Sequence, residues 1–432
     1  MSLENPTGLL QLKNNVLKYH WGVPGGISSK LGYAPENSPE AELWIGAHPK
    51  APSIIATSAT TAQPQTLEDL ERLSGKKMPY LLKMLAVGEA LSIQAHPTLQ
   101  QATAGFAAEN SANIPLDAPH RNYRDTNSKP ELIVALADGF AALCGFRSPQ
   151  ESSQLLRSLC DTALAVDPHL ADAAAAVTKF CQKLTHESLK TAVLWALRED
   201  AETAAFKKDL LLSLQKLAAA VTTVAPQQAP KAIKKLHGLA GLLQNLSKGY
   251  PQDSGILVAA LLNEVQLKSG QALWLPPGTP HAYLCGYGVE IMSSSDNVLR
   301  GGLTEKHIDP NELAKVLNFK HGGAHPFTPV VIGSNYRYNP DPEGIYAAPF
   351  ELVRVVSECA VQGVDPLSVL VVSGSFELAS GEHRVTAERG DSYFVPGGEV
   401  QLRGAGEAYI AGGALRRVTA KTSLLQGAAK EA

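Results

Sequence analysis

The chain predicts a mainly β protein that carries one α-helical domain. Three observations point there. Short apolar runs punctuated by Gly, Pro and Asn fill the chain to about residue 146 and again from about residue 255. Between Ser148 and Tyr250 the texture shifts to Ala, Leu, Lys, Gln and Glu, with apolar residues such as Leu155, Leu156, Leu159 and Leu164 at helical spacing. Two β passages then repeat each other: Gly270, Pro276, Gly278 and His281 have the spacing of Gly390, Pro396, Gly398 and Gln401. With 432 residues the chain has room for two or three packed units. The expected division is a first β unit built from 1–146 and 255–330, a helical domain at 147–254, and a second β unit at 331–432.

Composition narrows the class. Hydrophobic residues at 44%, charged residues at 18% and a net charge of −3 describe an ordinary globular protein and argue against nucleic acid or an anionic membrane as the main partner. Met1 to Pro6 has neither the basic nor the apolar segment of a secretory signal, and nothing approaches the roughly 18 apolar residues of a membrane span. The five cysteines are scattered without a CxxC pair, as suits reduced thiols. The expectation is a cytoplasmic protein, and a monomer.

In chain order, Ala41 to Pro49 reads as an exposed-then-buried strand leading into a turn. Thr66 to Leu73 reads as a short helix, with Thr66 as N-cap and Glu68 and Asp69 in its first turn. After the apolar run Pro79–Leu85, the stretch Ala90–Pro97 reads as a buried strand ended by proline, which places Ser92, Gln94 and His96 on one face. Taken alone, such a face is most simply a hydrogen-bonded spot in a core. A polar loop, 118–127, delivers Ser128–Val134 into another strand. Ser148-Pro149-Gln150-Glu151 opens the helical domain with an N-cap serine, proline at the first position and glutamate at the third. Pro226 to Pro230 breaks two helices. Gly255–Leu262 reads as a strand, followed by further strands to Tyr283, and Leu367–Leu378 as another.

The repeated passages resemble the second motif of the cupin superfamily, in which a jelly-roll barrel places a histidine just after a Pro/Gly turn. Glycine allows the tight turn, proline ends the strand, and the histidine points inward. The repeat argues for two jelly rolls. The first keeps its histidine, His281, whereas Gln401 stands in the second, so a metal-free C-terminal barrel is expected. The partner ligands of His281 should sit two residues apart on a neighbouring strand, as Gln94 and His96 do, and Glu131 is the candidate carboxylate. Two imidazoles with carboxylate and amide oxygens suit zinc, with iron or manganese behind it. One anionic ligand leaves a divalent ion near +1, a Lewis acid suited to an enediolate or carbonyl oxygen.

Leu91–Pro97, Lys129-Pro130-Glu131, Pro276–Tyr283, Asp296–Thr304 and Glu42–Pro49 together resemble the type I phosphomannose isomerase family, over a span from about Tyr19 into the C-terminal barrel. The resemblance implies interconversion of mannose 6-phosphate and fructose 6-phosphate through an enediolate, one Zn2+ per chain, and a place in mannose and GDP-mannose metabolism. It implies Gln94, His96, Glu131 and His281 as metal ligands, Arg300 as catalytic, and Ser92 and Lys306 as sugar-phosphate contacts. The chemistry also needs a base. Lys129 lies two residues from Glu131, and Asp296 and Glu290 are competing carboxylates; Lys129 with Asp296 is the favoured pair. Tyr283 and Trp21 are expected to line the pocket. Ser128 stands where many members of the family have histidine, and Glu305 replaces the usual proline. The alternatives are a cupin isomerase or epimerase for another sugar phosphate, and a non-catalytic sugar-binding bicupin.

Overall fold

A computed structural model describes residues 8–56, 66–224, 231–346 and 348–420. Two large antiparallel sheets lie against each other, with the helices gathered at one side. In the first sheet, Leu262–Leu267, Phe140–Phe146, His281–Ser293, Tyr80–Val87, Glu42–Ile45 and Val16–Leu17 follow in order. Glu131–Ala135 and Gln94–Ala95 branch from the long strand His281–Ser293, which pairs with four neighbours. It manages this by bending at Gly286 (φ +117°), where a Cβ would lie 2.8 Å from the Phe140 Cα. The strand can therefore curl the sheet into a barrel.

Strand alternation sorts the side chains into layers. From Tyr80–Val87, Leu82, Met84 and Ala86 enter a core shared with Leu352, Leu370, Tyr409 and Ala411 of the second sheet. Leu85 and Val87 face the other way, into a core with Ile133, Phe140 and Leu273. Lys83 has the parity of Leu85 and so points inward. The same parity turns Glu42, Glu131 and Glu290 inward while Leu43, Leu132 and Val289 pack outward. Both faces of these strands are covered, so they read as continuous apolar runs.

The second sheet is built mainly from Glu351–Val355, Leu367–Ser380, Ser392–Val395 and Glu399–Gly412, and it encloses an apolar core of Val353, Val369, Phe376, Leu402 and Ile410 among others. The N-terminal strand Leu10–Lys13 pairs with Ser392–Val395 and with Ile54–Ile55, stitching the start of the chain to the last sheet. The helices Pro149–Val166, Ala171–His186, Leu189–Leu197, Ala201–Thr222 and Lys231–Gly249 share one core, which extends to Ile93, Ala95, Ala282 and Leu299. The helical region thus backs the strands that carry Gln94, His96 and Arg300. Among the described residues, no helix is long and apolar enough to cross a membrane.

Thr66 caps Leu67–Ser74 in a reciprocal box with Asp69, and the Ser148 hydroxyl accepts the Glu151 N–H, as the sequence pattern requires. Three expectations are corrected. Gly255–Ala259 is a helix, and the strand starts at Leu262; a short, fully buried apolar run has no periodicity to separate the two, and the Asp253 carboxylate accepts the Gly255 N–H to start the turn. Glu42–Ile45 is buried throughout, because it lies between two other strands. Regular pairing within Ala90–Pro97 is limited to Gln94–Ala95, since the amides of Leu91 and Ile93 are taken by Tyr283 and Gly302 carbonyls. The expected break at Pro226–Pro230 lies outside the described residues.

Candidate metal centre

Four strands converge on one end of the first barrel. Gln94 is registered against His281 on one side and Arg300 on the other. Glu131 opens the strand that pairs with Ala272–Leu275 and with the far half of His281–Ser293. Gly278 (φ +84°) makes the turn before His281. Its N–H donates to the His96 carbonyl at 2.8 Å, and a Cβ there would lie 2.9 Å from the Val316 carbonyl. Glycine is required at this position by both backbone conformation and space.

His96, Glu131 and His281 are buried and offer ligand atoms within 4.8 Å of one another. His96 Nε2 lies 3.3 Å from Glu131 Oε1, and His281 Nε2 lies 3.3 Å from Oε2. The opposite ring nitrogens are committed: His96 Nδ1 meets the Asn297 carbonyl at 2.8 Å and His281 Nδ1 the Thr279 carbonyl at 2.9 Å. A carbonyl only accepts, so each Nδ1 carries the proton and each Nε2 presents a lone pair. Two nitrogen lone pairs then face an acceptor carboxylate, and the buried His96 Nε2 has no hydrogen-bond partner. That arrangement calls for a cation between them, and the donor set fits zinc.

Electrostatics point the same way. Burial, then the Lys129 ammonium, push His96 down to about 4, so the ring is neutral at physiological pH. Burial opposes ionisation of Glu131, yet Lys129 and the histidines hold its carboxyl well below the usual range. Lys129 Nζ lies 3.0 Å from Glu131 Oε1. One level deeper, Tyr283 donates to Glu290 Oε1 at 2.6 Å, and Lys83 Nζ lies 3.5 Å from the other Glu290 oxygen. Burial first and the Glu131 charge second raise the Glu290 carboxyl.

The structure gathers His96, Glu131, His281 and Lys129 around one point, with half-buried Gln94 in backbone register with both His281 and Arg300, and with Tyr283 and Glu290 hydrogen-bonded to each other nearby. Lys129 and Asp296 share no partner: Asp296 binds Lys50 Nζ at 2.8 Å and His48 Nε2 at 3.5 Å. Burial opposes its ionisation, but those two contacts outweigh it and hold the Asp296 carboxyl well below the usual range. Trp21 stacks on Tyr19 and packs against the apolar cluster of Tyr283. Ser92 is half-buried, Ser128 buried, and Glu305 and Lys306 lie on the exposed rim.

Sequence reasoning missed several groups. Lys83, a lone charge in an apolar strand, was a readable signal; it also sits over the Trp44 ring, beside Glu42. Arg124 and Lys50 gave none. Partial desolvation, then Arg300, Lys50 and Arg124, hold the Lys306 ammonium below its ordinary value, so four cations gather here, of which Lys50 is paired with Asp296. Arg300 is likewise lowered by burial and then by Arg124.

Fold and site together define a cupin-type protein with a buried centre for a divalent metal. A model of phosphomannose isomerase type I, catalytic domain, matches residues 9–149. Mannose-6-phosphate isomerase of Salmonella typhimurium is 33% identical over 419 residues, spanning 93% of this chain and 98% of the relative. The Escherichia coli protein of that name is 33% identical over 412 residues, at 92% and 97% coverage. A crystal structure of the Salmonella enzyme bound to fructose 6-phosphate and zinc superposes with a TM-score of 0.75 at 30% identity, covering 94% of this chain and 99% of that one. A zinc-bound mannose 6-phosphate isomerase structure gives 0.76 over the same shares. The chain belongs to the type I phosphomannose isomerase family.

Proposed function

We propose that this chain is a zinc-dependent aldose–ketose isomerase that interconverts mannose 6-phosphate and fructose 6-phosphate. One observation carries the reading most: two imidazole lone pairs converge on a buried carboxylate, beside a cluster of cations. Gln94, His96, Glu131 and His281 would hold the metal. Zinc, when bound there, supplies a Lewis acid for the sugar's carbonyl and hydroxyl oxygens.

The chain's own residues do the rest. Arg300, Lys306, Arg124 and Lys50 attract and orient the phosphate, and Arg300 offers it a bidentate contact. Ser92, half-buried two residues before Gln94, would add a sugar-phosphate contact. Moving a proton between adjacent carbons through an enediolate needs a base whose affinity for protons approaches neutrality. The raised carboxyl of Glu290, hydrogen-bonded to Tyr283, meets that requirement better than Asp296, which its ion pairs keep ionised. Lys129, held against Glu131, donates to developing oxygen charge. Trp21 and Tyr283 close the apolar wall. On this reading 1–146 and 255–330 form the catalytic unit, with 147–254 as its helical support and 331–432 as a second barrel.

The test is metal analysis of purified protein combined with an isomerase assay. About one zinc per chain, turnover of mannose 6-phosphate to fructose 6-phosphate, loss on chelation and recovery with zinc are expected. Turnover of a different sugar phosphate instead would move the substrate assignment; full activity after complete metal removal would end the reading.

A further inference from the structure

Asn297 is fully buried, and every polar atom it has is committed to a segment that carries the site. Its carbonyl accepts the His96 Nδ1 proton at 2.8 Å. Its side-chain oxygen accepts the backbone N–H groups of Arg124 at 2.7 Å and Asp125 at 3.2 Å. Its side-chain nitrogen donates to the carbonyls of Asp125 and Asn127, both at 2.9 Å, with Asp125 Oδ1 at 3.2 Å. Its own N–H reaches Ser295 Oγ at 3.2 Å, and that hydroxyl donates to the Asp125 carboxylate at 2.9 Å. Asp125 in turn accepts the amides of Asp296 and Asn127, each at 2.8 Å.

The pattern is that of a strand pairing made by one side chain. A primary amide presents an acceptor and a donor in one plane, so it can read N–H and C=O groups of a loop that is not in a sheet. Aspartate has the same shape but only acceptors, and would aim an oxygen at two carbonyls. The three segments so joined are the 124–127 loop, which runs on to Lys129 and Glu131; the 294–300 segment, which ends at Arg300; and His96 itself. Structural filling alone would need no polar atoms here, and burying them unpaired is costly.

We propose that Asn297 is a positioning residue whose clasp with Asp125 orients His96 and fixes Glu131, Lys129 and Arg300 relative to one another. The proposal rests on the reading of the cluster as a zinc site, and groups that orient metal ligands typically change metal affinity or activity by about 10- to 100-fold when altered.

The test compares full-length zinc-loaded parent, N297D and D125N, with V361A in the second barrel's core as a destabilised control. Zinc release to a chelator, isomerase kinetics and amide hydrogen exchange are measured. Both clasp variants should release zinc at least about tenfold faster and lose at least about tenfold in kcat/KM. Exchange over 124–127 and 294–300 should rise with or without metal, while V361A keeps the parent's zinc release. Folded clasp variants with parental zinc release and exchange overturn the proposal, as does V361A releasing zinc as fast as they do. Should N297D fail to fold, D125N decides. A parent that takes up no zinc sinks the reading of the site, and the exchange arm still judges the clasp.

Discussion

The two barrels share a backbone device and differ in what it encloses. Gly270 and Gly390 stand at φ +78° and +92°, and Gly278 and Gly398 at +84° and +67°. Each pair brackets a four-residue strand, Ala272–Leu275 or Ser392–Val395, and each turn feeds a long strand, His281–Ser293 or Glu399–Gly412. Inside the second barrel, valine, leucine, isoleucine and phenylalanine pack together. Inside the first, His96, Glu131, Lys129, Glu290 and Lys83 are buried with one another. Buried charges cost several kcal/mol each unless paired, and in the first barrel Lys129 is paired with Glu131 and Lys83 with Glu290, whereas the second barrel's core needs no such pairing. The Gly278 N–H shows the divergence at one atom: it holds the His96 carbonyl, whereas the Gly398 N–H turns back to Val395.

Substitutions at matched positions break or sharpen this contrast. The largest effect is expected from His281→Ala, which should remove zinc and lower kcat/KM by about 10³-fold or more. Its counterpart Gln401→Ala should leave both unchanged, and parallel metal analysis and kinetics check the pair. Next come the turn glycines. Gly398→Ala should cost at least about 1–2 kcal/mol in chemical denaturation, from the left-handed backbone and from a Cβ that would lie 2.9 Å from the Asp365 carbonyl, with zinc and turnover unchanged. Gly278→Ala should add a loss of zinc and turnover, because the Cβ meets the Val316 carbonyl and disturbs the hold on His96.

A smaller effect is expected from Asp296→Asn, which touches an ion-pair strap of the first barrel. The folded carboxyl titrates below its unfolded value of about 3.9, so its stabilisation is present above that pH and is lost as pH falls through the folded value. Melting temperatures of parent and variant should therefore differ at pH 7 and converge below about pH 4. The smallest effect is expected from Gln401→His. Zinc content should stay at one per chain, because one imidazole amid apolar neighbours makes no site; a second equivalent would show that the second barrel retains hidden ligands.

Much of this was legible in the chain. The mainly β character, the helical middle and the doubled Gly/Pro/Gly spacing follow from local steric rules, as do the caps at Thr66 and Ser148. Gln94 and His96 were expected together because strand alternation puts alternate residues on one face; the structure joins His96 with Glu131 and His281 and sets Gln94 in register with His281. Gly255–Ala259 was misread because a buried apolar run has the same appearance in a helix and a strand.

Asn297, Arg124 and Lys50 had no local signal. Their roles come from loops brought together across more than 150 positions in the chain, and hydrogen bonds between such loops leave no periodicity behind. Local sterics and periodicity thus decided the kinds of element and the ligand types. Tertiary packing decided which carboxylate serves which cation, placing Asp296 with Lys50 and His48, and Glu290 with Tyr283 and Lys83. Ion pairs in a buried site depend on ångström distances between distant segments, and those distances exist only once the chain has closed around them.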